Sequence, residues 1–274
     1  MAPPFSVPAE PKMSCDQAFP ELTAAIENAY RAFARYRLKG AICVCHCPVC
    51  VDAATERRLC TVPLREISSA LLAQYTHSAH GFDSRVADEF RYFLPRYFGL
   101  IASDDPPTNT GVETCLHRLH EASFRNNWPS SEVEAVDRFF LALFRARLAM
   151  PVEIDPSGMP GIGGDAVERV LCLAAHSDGD VPALLAAWEG NCRRGASLHI
   201  AAIVSIADWR KKRLENSWWT GEQQPHVEEA MHRVITWLLR SPTRERLETD
   251  GLTEREVAAA VLLSHAEGLV GGTI

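Results

Sequence analysis

The sequence almost entirely lacks the alternating apolar and polar pattern of β-strands. It also lacks an apolar run near the about 20 residues that a membrane span needs; the run Ala201–Ala207 is among the longest. The first residues contain neither a basic n-region nor an apolar h-region, so we expect no signal peptide. These absences argue against a β-sheet fold and a membrane protein, and they favour a cytoplasmic helical protein.

Familiar catalytic motifs are missing as well. The sequence contains no Gly-x-Ser-x-Gly elbow, no His-Glu-x-x-His and no Walker sequence. The glycines of Gly158–Gly164 superficially resemble a phosphate loop, but Asp165 follows them where a Lys-Ser/Thr pair would be needed. We interpret this stretch as a flexible linker.

The charge balance argues against nucleic acid. The formal net charge is −7 and the isoelectric point is about 5.8, which disfavours a general affinity for phosphate backbones. The basic run Arg210–Arg213 precedes Trp218 and Trp219, a combination that could bind single strands by charge and stacking. Such a run is more often a solvated surface near a helix C-terminus, and we favour that interpretation.

Cysteine is concentrated in one stretch. Five of the nine cysteines lie within residues 43–60, where Cys47 and Cys50 have the C-x2-C spacing of a zinc knuckle. Alternate side chains of an extended chain share a face, so we expect Cys43 and Cys45 on the same side as Cys47. Thiolate sulfur is a soft ligand, and zinc takes four ligands in a tetrahedron. The segment therefore predicts a structural zinc site.

The predicted zinc ligands are Cys43, Cys45, Cys47 and Cys50, with Cys60 and His46 in reserve. Two other interpretations stay open: reduced thiols without a metal, and a disulfide or redox pair. A distant second C-x2-C pair, which gives the stronger zinc signature, is missing. Because we expect a reducing cytoplasm, clustered thiols should bind metal more readily than they pair with each other.

Apolar residues recur at helical spacing through most of the chain. Leu22, Ile26, Tyr30 and Phe33, for example, predict a helix over residues 17–37. We therefore predict an all-α fold of about ten helices in two packed halves, with the small cysteine-rich segment near the N-terminus. In the second half the predicted helices lie near 165–177, 181–193, 196–216, 225–240 and 253–268.

Capping and proline signals predict several helix boundaries. We expect Asp52 to cap a short helix, Pro63 to occupy the first turn of the next one, and Ser131 with Glu134 to form a capping box. Pro95 lacks an N–H and its ring crowds the preceding turn, so we expect a break or kink there.

Composition also predicts the domain organisation. The proline-rich residues 1–14 should be a disordered arm, and residues 15–148 a helical region that contains the cysteine-rich segment. Residues 149–164 are rich in proline and glycine and have no helical period, which indicates a linker or long loop. Residues 165–274 should form a second helical region.

The block Asp88–Arg96 (DEFRYFLPR) follows Pro63–Ile67 (PLREI) and the Cys-Pro-x-Cys segment. In this order the blocks resemble a family of uncharacterised bacterial proteins, which carries an Asp-Phe-basic-His-Phe-Leu-Pro-Arg block behind a cysteine-rich segment. The resemblance spans roughly residues 30–145 and implies that the cysteine-rich segment is a recurring feature. Tyr92 stands where that family has a histidine. The resemblance implies no established activity.

Histidines provide a further candidate site. Glu113, His117 and His120 recur at i, i+4 and i+7, which would place them on one helix face. Such a face could hold a second metal or a general base, and His77 with His80 repeats the i, i+3 spacing. An ordinary, partly exposed helix surface is the interpretation we favour.

Taken with the missing catalytic motifs, the acidity of the chain favours a non-catalytic protein that binds another protein. A basic partner suits the charge, and an inhibitor or an immunity protein against a bacterial toxin would be one such case. The predicted partner-binding residues are the exposed members of Trp188, Trp218 and Trp219, because tryptophan often anchors interfaces. The other interpretation is that these tryptophans belong to the core. The alternative is a zinc-dependent or thiol-dependent enzyme of unknown substrate.

Overall fold

The structure, a computed structural model, describes residues 20–47, 50–78, 84–152, 166–214 and 224–250. These residues form twelve α-helices and two short 3₁₀ helices, Leu64–Glu66 and Val112–Thr114, with no β-strand among them. The all-α prediction is confirmed. The α-helices are α1 Pro20–Ala32, α2 Ala53–Thr61, α3 Ser69–Thr76, α4 Ser84–Ala102, α5 Arg118–Glu121, α6 Phe124–Asn127, α7 Ser130–Leu148, α8 Ala166–His176, α9 Val181–Glu189, α10 Arg194–Ile206, α11 Pro225–Leu238 and α12 Ser241–Thr249.

Helices α1, α4 and α7 form the centre of the N-terminal part. One face of α1 is buried through Leu22, Ala25, Ile26 and Ala29, and this stripe packs against α4 and α7. Phe98 of α4 stacks on Phe139 of α7 with ring centroids 3.8 Å apart. The apolar residues that recur at helical spacing in the sequence therefore form the packed face of the helix.

Helix α8 lies at the centre of the C-terminal part. Nine of its residues are buried, including every residue from Val170 to His176, as expected of a helix enclosed on all sides. Its neighbours are α7, α11 and the second 3₁₀ helix. Helices on both sides of the predicted linker contribute to a single buried apolar cluster. Because residues 153–165 lie outside the described residues, the linker stays a prediction.

Of the break or kink predicted at Pro95, the break is wrong, because α4 continues through this residue. An interior proline costs a helix about 3 kcal/mol. Burying one large apolar side chain contributes about 1.5–3 kcal/mol, and α4 buries Phe90, Phe93, Tyr97 and Phe98 completely. Tertiary packing of these rings therefore outweighs the local penalty.

The structure confirms one predicted cap and corrects another. Asp52 caps α2, and its carboxylate accepts a hydrogen bond of 2.6 Å from the backbone amide of Thr55. Pro63, by contrast, precedes a 3₁₀ turn, and α3 begins later, after the side-chain cap of Ser68. The chain therefore makes an extra turn before this helix.

The capping box at Ser131 and Glu134 is also wrong. Helix α7 begins at Ser130 after Pro129, which makes no side-chain cap. Since Ser131 already lies inside the helix, it cannot adopt the extended backbone that an N-cap residue needs.

Two further predictions, the arm at 1–14 and the helix at 253–268, lie outside the described residues. No helix in the described part of the chain is both long and apolar enough to cross a membrane.

A buried carboxylate ties the N-terminal segment to α7. The side chain of Glu132 is 1% exposed, and its Oε1 accepts hydrogen bonds from Arg35 Nη2 at 2.5 Å and from the Tyr36 hydroxyl at 2.8 Å. The Nε of Arg91, on α4, lies 3.6 Å from Oε2, and its guanidinium covers the Trp128 ring at 4.5 Å. One carboxylate thus joins three segments of the chain.

We expect Glu132→Ala to lower the free energy of unfolding by about 1.5–3 kcal/mol, because it removes the charged acceptor of the hydrogen bonds from Arg35 and Tyr36. Urea denaturation followed by circular dichroism measures the loss. The matched control is Glu134→Ala on the same helix, where an exposed carboxylate lies 4.0 Å from Arg138; its effect should stay within about 0.5 kcal/mol. Equal losses in both variants would contradict the role of Glu132.

Candidate metal centre

Three cysteines of the cysteine-rich segment come together. The sulfur atoms of Cys45, Cys47 and Cys50 all lie within 4.8 Å of one another. The chain turns back on itself there: the amide of Cys50 donates to the carbonyl of Cys47 at 3.1 Å, and the amide of Val51 donates to the carbonyl of Cys45 at 3.1 Å. This turn brings the sulfurs to one point, so the cluster could bind a metal ion.

Contacts with the rest of the N-terminal part hold this turn in place. The amide of Cys45 donates to the hydroxyl of Ser78 at 2.8 Å, and Ser78 is buried just beyond the end of α3. On either side of the cluster, Ile42 and Val51 are buried in the core. The backbone of the thiol cluster is therefore anchored at both ends.

Cys43 is not a member of the cluster. Its amide donates to Glu89 Oε2 at 2.9 Å, and Glu89 is a buried residue of α4. The extended alternation that placed Cys43 beside Cys45 and Cys47 assumes a regular strand, whereas this segment is irregular. The structure thus brings together three of the four predicted ligands.

The two reserve ligands also lie outside the cluster. His46 Nε2 is 2.8 Å from Glu56 Oε2 of α2, so the imidazole faces a carboxylate. The Cys60 thiol is 3.5 Å from the carbonyl of Gly40. Burial, together with the nearby charge of Glu56, raises the pKa of Cys60, which disfavours the thiolate form that binds metals.

The prediction that Trp188 is an exposed partner-binding residue is wrong. Its side chain is fully buried, its indole N–H donates to the carbonyl of Ala196 at 2.9 Å, and its ring stacks on Trp237 at 5.0 Å. A tryptophan with its polar atom paired inside the protein belongs to the core. Trp218 and Trp219 lie outside the described residues.

The predicted face of Glu113, His117 and His120 does not form. Glu113 lies in a 3₁₀ helix and His120 in the separate helix α5, so the 3.6-residue period is broken between them. Burial raises the pKa of Glu113. The nitrogen Nε2 of His117 lies 3.6 Å from Glu121, and His120 turns to Asp178 instead.

The contact between His120 and Asp178 is part of a second cluster, which the sequence did not predict. His120 Nδ1 is 2.7 Å from Asp178 Oδ2, and the rings of His120 and His226 stack at a centroid distance of 3.5 Å with an interplanar angle of 7°. One ligand atom from each of the three residues lies within 4.8 Å of the others. More than 40 residues separate consecutive members along the chain, so no local spacing could reveal them.

The turn after α8 positions Asp178. This residue has a φ of +54°, a conformation that aspartate tolerates better than most residues. The following amide, of Gly179, donates to the carbonyl of Ala174 at 2.7 Å. A β-carbon on Gly179 would lie 2.8 Å from the Ala174 β-carbon and 3.0 Å from its α-carbon. Only glycine therefore fits this close approach.

No protein-family model matches this chain, and no curated protein or solved structure matches it. The resemblance of residues 30–145 to the bacterial family therefore stays a prediction, and the geometry of the two clusters carries the functional argument.

We expect Gly179→Ala to lower the free energy of unfolding by about 1–3 kcal/mol, because the new methyl group forces the turn away from Ala174. Thermal and urea denaturation measure the change. Gly190→Ala is the matched control: it lies just after α9, and its added β-carbon would meet only ordinary contacts, the nearest at 3.7 Å. The control should change stability by at most about 0.5 kcal/mol. A Gly179 variant as stable as the control would contradict the packing argument.

Proposed function

We propose that Cys45, Cys47 and Cys50 bind one zinc ion with a structural role, and that the chain acts by binding another protein rather than by catalysis. The observation that carries this proposal is the sulfur-only cluster on an anchored turn. Zinc sites built from sulfur are commonly closed and structural.

The chemistry of the cluster supports zinc. Thiolates select soft or borderline metals, among them zinc, and exclude magnesium and calcium. The eight cysteines of the described residues are all free thiols, which suits a reducing cytoplasm. Cys43 is the proposed fourth ligand: it lies two residues from Cys45, so their α-carbons are at most about 7 Å apart. Completing the tetrahedron requires the Cys43 sulfur to move into the cluster.

The alternative, a thiol-dependent enzyme, has less support. A reactive cysteine needs a lowered pKa and access to solvent. Burial raises the pKa of Cys115 and of Cys172, and both are fully buried. A zinc-dependent enzyme stays the second candidate, because three thiols leave one position on the ion for water.

The proposed partner is a basic protein, for example a toxin that this chain inhibits or against which it protects the cell. The net charge of −7 supports this class of partner, because complementary fields accelerate encounter. Since Trp188 is core, Trp218 and Trp219 are the remaining proposed anchors.

We expect purified protein to carry about one zinc ion at this site. Cys47→Ser combined with Cys50→Ser should lose that ion and lower the melting temperature by at least about 4 °C, since losing a structural ligand costs a few kcal/mol. Elemental analysis and calorimetry measure both effects. Cys192→Ser is the control, because Cys192 is exposed and lies outside the cluster. An equal total zinc content in the double variant and the wild type would remove these residues as ligands.

Cobalt substitution separates the two functional classes. A closed site with four thiolates gives stronger sulfur-to-cobalt charge-transfer absorption than a site with three thiolates and water. We expect the four-thiolate spectrum, with about a quarter of its intensity lost in Cys43→Ser. A three-thiolate spectrum unchanged by this substitution would favour the enzyme.

We expect the partner to be a basic, toxic protein whose gene lies beside the gene for this chain. Its toxicity should be suppressed when the two proteins are expressed together. Raising the ionic strength from about 0.05 to about 0.5 M should slow their association at least tenfold, because salt screens the attraction. Stopped-flow fluorescence measures the rate. A toxin gene missing from the neighbourhood, together with no partner in native co-purification, would remove the immunity proposal.

A further inference from the structure

We propose that His120, Asp178 and His226 form a second metal site, which binds a divalent transition-metal ion of the zinc class. This site is independent of the thiol cluster and of the proposed partner. Two imidazoles and a carboxylate are a ligand set that zinc and its neighbours in the first transition row accept.

The convergence of three separate elements supports the proposal. His120 lies on α5, Asp178 on the turn after α8, and His226 in the first turn of α11. Their ligand atoms lie within 4.8 Å of one another, whereas ligands of a tetrahedral zinc ion are about 3.3 Å apart. The 2.7 Å contact between His120 and Asp178 would lengthen by about half an ångström to admit the ion.

An ion pair alone accounts for the contact between His120 and Asp178. It gives no account of His226, whose ring lies parallel to that of His120 at 3.5 Å. This stacking brings a second imidazole nitrogen to the same carboxylate. A metal ion could use all three groups, one nitrogen from each ring and one carboxylate oxygen, once the two rings rotate out of the parallel stack so that their in-plane lone pairs converge.

The backbone that carries Asp178 is already held in place. The carbonyl of Asp178 accepts a hydrogen bond from Arg125 Nε, and the glycine turn fixes its backbone. The carboxylate is therefore positioned before binding, whereas the two imidazole rings would rotate to reach the ion.

The site opens onto a cavity of about 430 Å³, which Asp178 and His226 line together with Arg125 and Arg233. Three protein ligands leave a fourth position for water or a small molecule. The ligand set and the cavity together are those of an open metal site, in contrast to the closed site proposed for the thiols.

The test removes the thiol cluster first. In the Cys45→Ser, Cys47→Ser, Cys50→Ser protein, stripped of metal by chelation, zinc is titrated against a chromophoric competitor. We expect one equivalent to bind, with the affinity falling at least about 100-fold in His226→Ala and in Asp178→Asn. Asparagine tolerates the positive φ of residue 178, so the backbone turn is kept. His232→Ala, an exposed histidine on the same helix, is the control and should leave the affinity unchanged.

A second measurement does not depend on the folding of the triple variant. The metal-free wild-type chain is titrated with cobalt, which should bind in two equivalents: one with intense sulfur charge-transfer bands and one with weak d–d bands only. His226→Ala should abolish the second equivalent and keep the first. Binding of a single, sulfur-ligated equivalent, or two unchanged equivalents in His226→Ala, would overturn the proposal and leave an ordinary histidine–aspartate ion pair.

Discussion

The burial of α7 on several sides is the constraint on which the rest of the structure depends. Helices α1, α8 and α9 pack against it, and it carries two charged residues, Glu132 and Arg147, into the interior. Buried charges need partners. Glu132 binds Arg35 and Tyr36, and Arg147 binds Asp104 through two hydrogen bonds of 2.6 and 2.9 Å. These pairs fix both ends of α7 against neighbouring segments.

Contacts with this packed core determine the geometry of the thiol cluster. Glu89 of α4 and Ser78 after α3 each accept a hydrogen bond from an amide of the cysteine-rich segment, while Ile42 and Val51 are buried beside it. The three sulfurs therefore converge through protein contacts alone. Such preorganisation lowers the entropy cost of binding an ion, so a metal would stabilise a conformation that the core already favours.

The two clusters differ in how they form and in the ligand atoms that they offer. The sulfur cluster consists of Cys45, Cys47 and Cys50, which are close together in the sequence, and it offers only soft ligands. The cluster of His120, Asp178 and His226 requires α5, α8 and α11 to pack correctly, and it offers nitrogen and oxygen ligands beside a cavity. Because ligand type selects the metal, we expect the two clusters to differ in their affinity for the same ions. One cluster thus forms from residues that are close in the sequence, and the other from residues that long-range packing brings together.

The sequence by itself determined the helical class, because the 3.6-residue apolar period acts locally, and it located the thiol cluster, because Cys47 and Cys50 are near neighbours. Tertiary structure decided what depends on distant contacts. Packing carries α4 through Pro95 and encloses Trp188. It also brings His226 to a histidine more than 100 residues earlier in the chain. Burial and long-range proximity are properties of the assembled core, and no local pattern encodes them.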